Sequence, residues 1–432
     1  MINKFKNIVL KIDQHLYKKF RSYKTVKVLE NIKEAKIIFS HLNNIGEESK
    51  VRFVGGCVRK ALSGEYIDDI DLATSLDPDR VKEILIKNSI KVIDTGLSHG
   101  TVTAIVNKKK FEITTLRKDI STDGRHAKVE FTQKWKEDAL RRDFTINAIY
   151  SDIEGRIFDP LNGTLDLKNQ EIKFIGSAEE RIQEDYLRIL RYIRFFIQYS
   201  KTSCNKNDIQ SIKRNINGLN KVANERIFEE LKKILSLKNL HNLFSNENLR
   251  EIILNIFPQF RYHERLKLIS SIEKDLRFKY DVYLILAIII VDQSNDYEYF
   301  CHKYKTSNKI KKRFKNISKN YESLKMKNFY LKNNIKKLIY LSSKDDVIDL
   351  LLISIFINKK VESVEIEHLI DYVKKCEVPK FPISGDILKN NGYETGYQLG
   401  AKLKLLEEKW IENNFTLDKE TIENFLGKSF NN

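Results

Sequence analysis

Cysteine is scarce in this chain of 432 residues: there are four, Cys57, Cys204, Cys301 and Cys376. They are scattered, with no CxxC pair and no histidine at zinc spacing. This excludes a disulfide framework and a zinc finger and points to a reducing compartment, expected to be the cytoplasm. Cys57, directly after a double glycine, reads as small filler, not as a nucleophile. Long apolar runs are also missing. Segment 282–291 is bounded by Asp281 and Asp292 and falls well short of the roughly 20 residues a spanning helix needs. Segment 347–357 is interrupted by Asp349. Both read as buried helices, and no membrane span is expected. Acidic residues are outnumbered, 59 against 77 lysines and arginines, for a formal charge of +18 and a pI near 9.4. That excess suits a polyanionic partner such as nucleic acid. Because the chain is rich in Lys, Asn and Ile, as AT-biased coding gives, the charge supports this reading without carrying it. No internal repeat or low-complexity segment stands out, and the length allows two to four domains.

The most informative stretch is 51–75, VRFVGGCVRKALSGEYIDDIDLATS. It reads as a strand, a Gly55-Gly56 turn, a helix, and a second strand carrying Asp69-Ile70-Asp71. Side chains alternate along a strand, so Asp69 and Asp71 share one face while Ile70 and Leu72 face a core. Asp68 falls on the apolar parity, and its replacement is expected to matter little. Two carboxylates so placed suit a pair of Mg²⁺ ions roughly 3.5–4 Å apart. The glycines let backbone approach a phosphate, and the helix start offers it free N–H groups. Taken alone, the same residues also read as two solvated acids beside a glycine turn.

Upstream, 1–50 reads as a basic helical extension, with Phe5, Ile8, Val9, Ile12 and Leu16 at helical spacing. It lacks the pattern of a secretory signal. A mitochondrial presequence is the alternative, against which stand its Lys-dominated charge and Asp13. Downstream, 51–176 is mixed α/β: a helix from Pro78 through Lys87, a strand at 91–95, and a hairpin of 101–106 with 111–116. Glu112 faces away from Phe111 and Ile113. It is a third metal-site acid if its strand lies beside Asp69–Asp71, and otherwise a solvated edge acid. Segment 117–129 reads as a polar loop, with His126 as a substrate-orienting or structural group. Within 135–150, Glu137-Asp138 opens a helix that continues into Ala148, on which Asp143 and Asn147 share a face. The pair Arg141-Arg142, with Asp143 and Asn147, suits a ribose and a triphosphate. Segment 158–172 reads as turn and loop. Beyond Ser177 proline is missing until Pro258 and apolar residues follow helical periodicity. Asp185 and Arg188 are placed on one helix face, with Glu184, Arg191 and Arg194 on the same helix. A helix from Asn224 carries Glu225 and Arg226. Segment 309–337 interleaves lysines with Phe314, Tyr321, Phe329 and Tyr330. That pattern suits either RNA binding or a solvated helix face.

Together these motifs resemble the class II tRNA nucleotidyltransferase and bacterial poly(A) polymerase family. The matching pieces are Gly55-Gly56 with Arg59, Asp69-x-Asp71, Asp123-Gly124-Arg125-His126, RRDFTINA at 141–148, and Asp159, Gly163 and Asp166. In the helical half, Glu184-Asp185-x-x-Arg188, Glu225-Arg226-Ile227-x-x-Glu230-Leu231 and the 385–410 element match. Two departures stand out: Lys60 replaces the family's Asp, and Lys173 replaces its Arg, which keeps the charge but not the fork.

The resemblance implies an α+β protein. A polymerase-β-like mixed-sheet head (51–176) would follow the extension (1–50) and precede an all-helical neck (177–235) and an RNA-binding body and tail (236–432). It implies template-independent transfer of C and A from CTP and ATP to a tRNA 3′ end. Asp69 and Asp71 would hold two Mg²⁺ ions, with Glu112 as the conditional third ligand. Gly55, Gly56, Arg59, Arg142, Asp143, Asn147, Asp185, Arg188, Arg191 and Arg194 would bind the nucleotide, and Glu184, Glu225 and Arg226 would support them. Partial addition and poly(A) synthesis stay open on the same motifs. A non-catalytic RNA-binding protein is the reading from another class, opposed by the intact acids and arginines.

Overall fold

The computed structural model describes residues 28–43, 51–122, 127–269 and 280–423, apart from 359, 391, 393, 419 and 421. Asp123–His126 and the first 27 residues, with Asp13, thus lie outside the described residues. The chain divides into two compact units, Met1–Ile256 and Phe257–Asn432.

The first unit is built on seven strands in the order β3-β4-β5-β2-β1-β8-β9. These are β1 Val51–Val54, β2 Asp71–Thr74, β3 Lys91–Gly96, β4 Thr101–Val106, β5 Lys109–Thr115, β8 Tyr150–Ser151 and β9 Ile157–Phe158. The sheet is mixed because β2 runs parallel to β5 while its other side pairs antiparallel with β1. Helices α1 Lys33–Asn43, α2 Gly56–Ser63 and α3 Pro78–Lys87 contribute to the core on one face. Phe53, Leu72, Phe111 and Ile113 meet Ile38, Phe39, Val58 and Leu85 there. Each such side chain, fully removed from water, contributes roughly 1.5–3 kcal/mol. Residues 28–43 of the extension are therefore part of the head's core. The β4–β5 hairpin turns at Asn107 and Lys108, both with positive φ, as a two-residue hairpin loop requires.

The opposite face carries Val54, Ala73, Ala148 and Tyr150. Alternation puts Asp71 on this face with Ala73, opposite Leu72. Segment 117–131 is not a loop. It forms an antiparallel ribbon, β6 Arg117–Thr122 with β7 Ala127–Phe131. Segment 158–172 holds a helix as well, α5 Gly163–Asn169, after helix α4 Trp135–Leu140. Asp159 accepts from the N–H groups of Gly163 and Thr164 at the start of α5. A Cβ on Gly163 would overlap the Thr145 carbonyl oxygen and lie 2.7 Å from its carbon. Gly163→Ala is therefore expected to destabilise the protein by about 1–3 kcal/mol. A thermal melt showing an unchanged midpoint would contradict it.

The neck supplies α6 Ala178–Glu184, capped by Ser177, then α7 Arg188–Tyr199, α8 Lys206–Asn215 and α9 Asn224–Leu235. One apolar face of α7 seats Tyr192 and Phe195 against Phe144 of the head, with Phe174 stacked on Tyr192 at 5.4 Å. Head and neck thereby share an aromatic core.

In the second unit, helix Val282–Ile290 is buried, as its composition predicts. Asp349, inside helix Lys344–Ile357, is tied to Arg313, which also reaches Asp281. Phe314, Tyr321, Phe329 and Tyr330 are all buried, whereas Lys309, Lys311, Lys312, Lys315 and Lys319 are exposed. The aromatics of 309–337 are core residues and cannot stack on bases. The segment is a solvated lysine face over an apolar one. Trp410, in helix Tyr397–Glu412, packs among Tyr340, Phe381 and Phe415.

Candidate active site

A cavity of about 490 Å³ lies in the first unit, within the usual size of a ligand pocket. Eight arginines line it against five carboxylates. An excess of guanidinium groups in a confined space is suited to a polyphosphate.

The floor is set by the glycine turn. Gly55 has φ +68°, and its N–H donates to the Ile149 carbonyl at 3.1 Å. A Cβ there would lie 3.5 Å from both Arg142 Nη1 and the Asn147 carbonyl oxygen, in a backbone conformation that side chains resist. Arg59, one turn into α2, is buried, donates to the Asn147 side-chain oxygen, and lies 4.6 Å over the Phe195 ring. Asn147 Nδ2 donates to Asp143 Oδ1 at 2.7 Å, and Arg191 Nε donates to Asp143 Oδ2 at 2.6 Å. Arg59, Asn147, Asp143 and Arg191 thus form a continuous chain from the head to the neck. Burial disfavours the charge on Asp143, but Arg191 and the Asn147 amide outweigh it and hold the carboxyl down to about 2.

Asp143 and Asn147 do not meet on a helix. Helix α4 ends at Leu140, Phe144 is extended (φ −127°, ψ 148°), and Thr145–Asn147 is a 3₁₀ turn. Asp185 and Arg188 do not share a helix either. Asp185 is extended and ends α6, and Arg188 begins α7. Each has its own partner: Arg226 donates to Asp185 at 2.8 Å, and Arg188 donates to Glu184 at 2.6 Å and to the Arg181 carbonyl at 2.8 Å. An Asp185–Arg188 ion pair is therefore not what these residues form. Arg194 bonds to Glu230 of α9.

Asp71 lines the cavity and stands in register beside Glu112 on the neighbouring strand. Burial, with Glu112 and Asp69 adding repulsion, pushes its carboxyl up to about 6. Asp69 precedes β2 in an irregular, exposed segment, so strand alternation does not place it. Asp68 is also exposed and is tied to Lys60 of α2. It does not face the core. Asp69, Glu112 and Glu225 are not among the cavity-lining residues.

Residues 51–173 match the poly A polymerase head domain, and 206–261 match the probable RNA and SrmB-binding site of polymerase A. The human mitochondrial CCA tRNA nucleotidyltransferase 1 is 33% identical over 399 residues, 89% of this chain and 88% of that protein. The CCA-adding enzyme of Lactococcus lactis subsp. lactis is 31% identical over 407 residues, 92% and 98% of the two chains. The chain belongs to the family of CCA-adding enzymes and poly(A) polymerases. The solved CCA-adding enzyme of Bacillus stearothermophilus in complex with CTP has the same fold, with TM-score 0.73 and 24% identity over 91% of this chain and 96% of that one.

CCA-adding enzymes are nucleotidyltransferases that generally use divalent metals, and the acids here fit one. Asp71 and Glu112 are hard oxygen donors held side by side, and the charge repulsion on Asp71 is of the kind a cation relieves. Among the described residues, no three acidic, His or Cys side chains form a metal cage of their own.

Both family departures find partners. Lys173 reaches Asp166 and Glu171, each at 2.6 Å, and Lys60 reaches Asp68. Arg141, the other half of the arginine pair read toward the triphosphate, lines the cavity too, whereas sequence reasoning passed over Arg117, Asp119 and Phe195. It also passed over Asp138, a buried acid that binds Arg141 and Arg142 and accepts from the Tyr150 hydroxyl at 2.7 Å. Burial and the neighbouring Arg141 push Arg117 down to about 10. Asp138 did carry a local signal, its spacing of three and four residues to Arg141 and Arg142, whereas only folding brings Tyr150 to it.

Proposed function

We propose that this chain adds C and A nucleotides to the 3′ end of tRNA, taking them from CTP and ATP without a nucleic-acid template. The observation that carries this reading is the arginine-lined cavity with Asp71 and the Gly55 turn on the head side and Asp185 and Arg188 on the neck side. The Gly55 turn, whose own N–H is held by the Ile149 carbonyl, lets the backbone at Gly56 approach the triphosphate, and Arg59 offers it a guanidinium. Arg142, fixed by Asp138, and Arg191, fixed by Asp143, add charge without having to reorganise. Asp71 with Asp69 and Glu112 would hold Mg²⁺, two ions in this reading, which supply activation of the attacking 3′-hydroxyl and neutralisation of the leaving pyrophosphate. The chain's own contribution is positioning and charge complementarity.

The test uses tRNAs truncated before the first C, the second C and the terminal A, each incubated with labelled CTP or ATP and sized. Stepwise completion to CCA and no further supports the reading. Long adenylate tails would assign poly(A) synthesis, and stalling after CC or use of ATP alone would assign partial addition. No incorporation at all would favour the RNA-binding alternative.

Binding of tRNA is expected to be mainly electrostatic, from the charge of +18 and the exposed lysines of 309–319. Counterion release predicts log Kd rising with log salt by about 0.9 per duplex phosphate contacted. Filter binding that gives the same affinity at low and moderate salt would contradict it. The four free cysteines are compatible with a reducing compartment, and no described helix is long and apolar enough to cross a membrane.

A further inference from the structure

Between the end of α2 and the start of β2, residues 65–70 have no regular secondary structure, yet this segment carries Asp69. Its C-terminal end is stitched to the sheet where the Glu112 N–H donates to the Ile70 carbonyl at 3.3 Å. Its N-terminal end is tied to α7, where Gln198 donates to Glu65 at 2.8 Å. In the middle, one oxygen of Asp68 accepts from two donors: the Lys60 ammonium, and the backbone N–H of Asp69 at 3.0 Å. Lys60 belongs to the same short helix whose first turn holds Gly56 and Arg59 at the cavity. The family's pattern leads one to expect an acid at position 60; here the base at 60 faces an acid at 68.

We propose that Lys60 and Asp68 are a positioning pair that clamps the Asp69 backbone to helix α2, so that one element sets both the phosphate-facing turn and the loop carrying a metal-binding acid. This inference rests on the nucleotidyltransferase reading and adds two residues that touch neither substrate nor metal. The Lys60 side chain is 23% exposed and that of Asp68 56%, so the pair contributes little to folding stability. Its effect is geometric. A displacement of about 1 Å at a reacting group can cost roughly a hundredfold in rate, and a partial loosening costs less. The pair also revises the expectation that Asp68 is dispensable: Asp68 acts through the amide of its neighbour.

The test compares Lys60→Met and Asp68→Ala, which break the pair, with Lys60→Arg and Asp68→Asn, all in the full chain. Three quantities are measured: kcat and KM for CTP on truncated tRNA, Mn²⁺ affinity of nucleotide-free protein by electron paramagnetic resonance, and the melting temperature. The two pair-breaking variants should lose about tenfold in kcat and severalfold in Mn²⁺ affinity, with KM for CTP and the melting temperature near parental. Lys60→Arg, which keeps the charge, and Asp68→Asn, which keeps an oxygen for both donors, should retain most of both. Parental kcat and Mn²⁺ affinity in both pair-breaking variants would overturn the proposal. So would a Lys60→Arg protein as poor as the worse of the two while equally folded. A parent chain that incorporates no nucleotide defeats the functional reading instead, and the Mn²⁺ affinities still decide whether the pair positions Asp69.

Discussion

Asp71→Ala is expected to remove nucleotide incorporation, lowering kcat by at least about a thousandfold. Asp71 is the acid whose placement is fixed most firmly. It begins β2, shares a face with Ala73, and stands beside Glu112 in a parallel register. Its carboxyl is pushed up to about 6 by burial and by Glu112, so the ligand-free protein carries an unfavourable charge there. Removing that charge should leave the melting temperature unchanged or higher, unlike a typical loss of a buried polar group. Binding of tRNA should persist, because the cavity arginines and the lysine face of the second unit are untouched. Asp69→Ala should act in the same direction, and Glu112→Gln more weakly, since Glu112 stands one strand over. A folded Asp71→Ala protein with parental turnover would remove Asp71 from the catalytic centre. One that had also lost tRNA binding would show that the substitution acts through something other than the metal site.

The parts of the head that were legible in the sequence are those whose pattern is local. Helix Pro78–Lys87 was readable because Pro78 opens it, and the β4–β5 hairpin because alternating strands flank Asn107 and Lys108. Ile70 and Leu72 do face the core, as alternation required. The errors arose where a side chain competes with the helix for backbone hydrogen bonds. Asp143 accepts from the Phe144 N–H at 2.9 Å, and Phe144 is extended and pairs with Phe174, so the continuous helix expected from Glu137 into Ala148 stops at Leu140. Asp185 accepts from the Leu187 N–H at 3.1 Å and breaks the neck helix in the same way. In both cases spacing named the right residues through the wrong local structure. The β6–β7 ribbon was missed because its strand starting at Arg117 is almost wholly polar and offers no apolar alternation. The brace of Arg194 by Glu230 joins residues 36 apart in sequence, a pairing no local pattern encodes.

The break at Asp185 bears on base choice, for which Asp185 and Arg188 are expected to serve as a protein template. Cytosine and adenine each present an amino donor beside a ring-nitrogen acceptor. A carboxylate accepts from the first and a guanidinium donates to the second. Uracil and guanine present a carbonyl and a protonated ring nitrogen, which meet the same two groups with like polarity. Asp185 and Arg188 line the cavity, one at the end of α6 and the other at the start of α7. Asp185 is oriented by Arg226 and the Leu187 amide, and Arg188 by Glu184 and the Arg181 carbonyl. The Arg188 bonds engage Nη1 alone, and a guanidinium has five N–H donors, so donors remain for a base. Each polar group left unpaired by a mismatched base costs about 1–3 kcal/mol, or roughly 5- to 150-fold in discrimination. Asp185→Ala or Arg188→Ala should therefore lose the preference for CTP and ATP over UTP and GTP, or lose activity, while the protein stays folded. Arg226→Met and Glu184→Gln, which remove the braces and leave the template groups, should loosen the preference by less. The measurement is single-nucleotide incorporation with each of the four triphosphates on tRNA lacking its 3′ end. An Asp185→Ala/Arg188→Ala protein that still selects C and A as the parent does would refute the template.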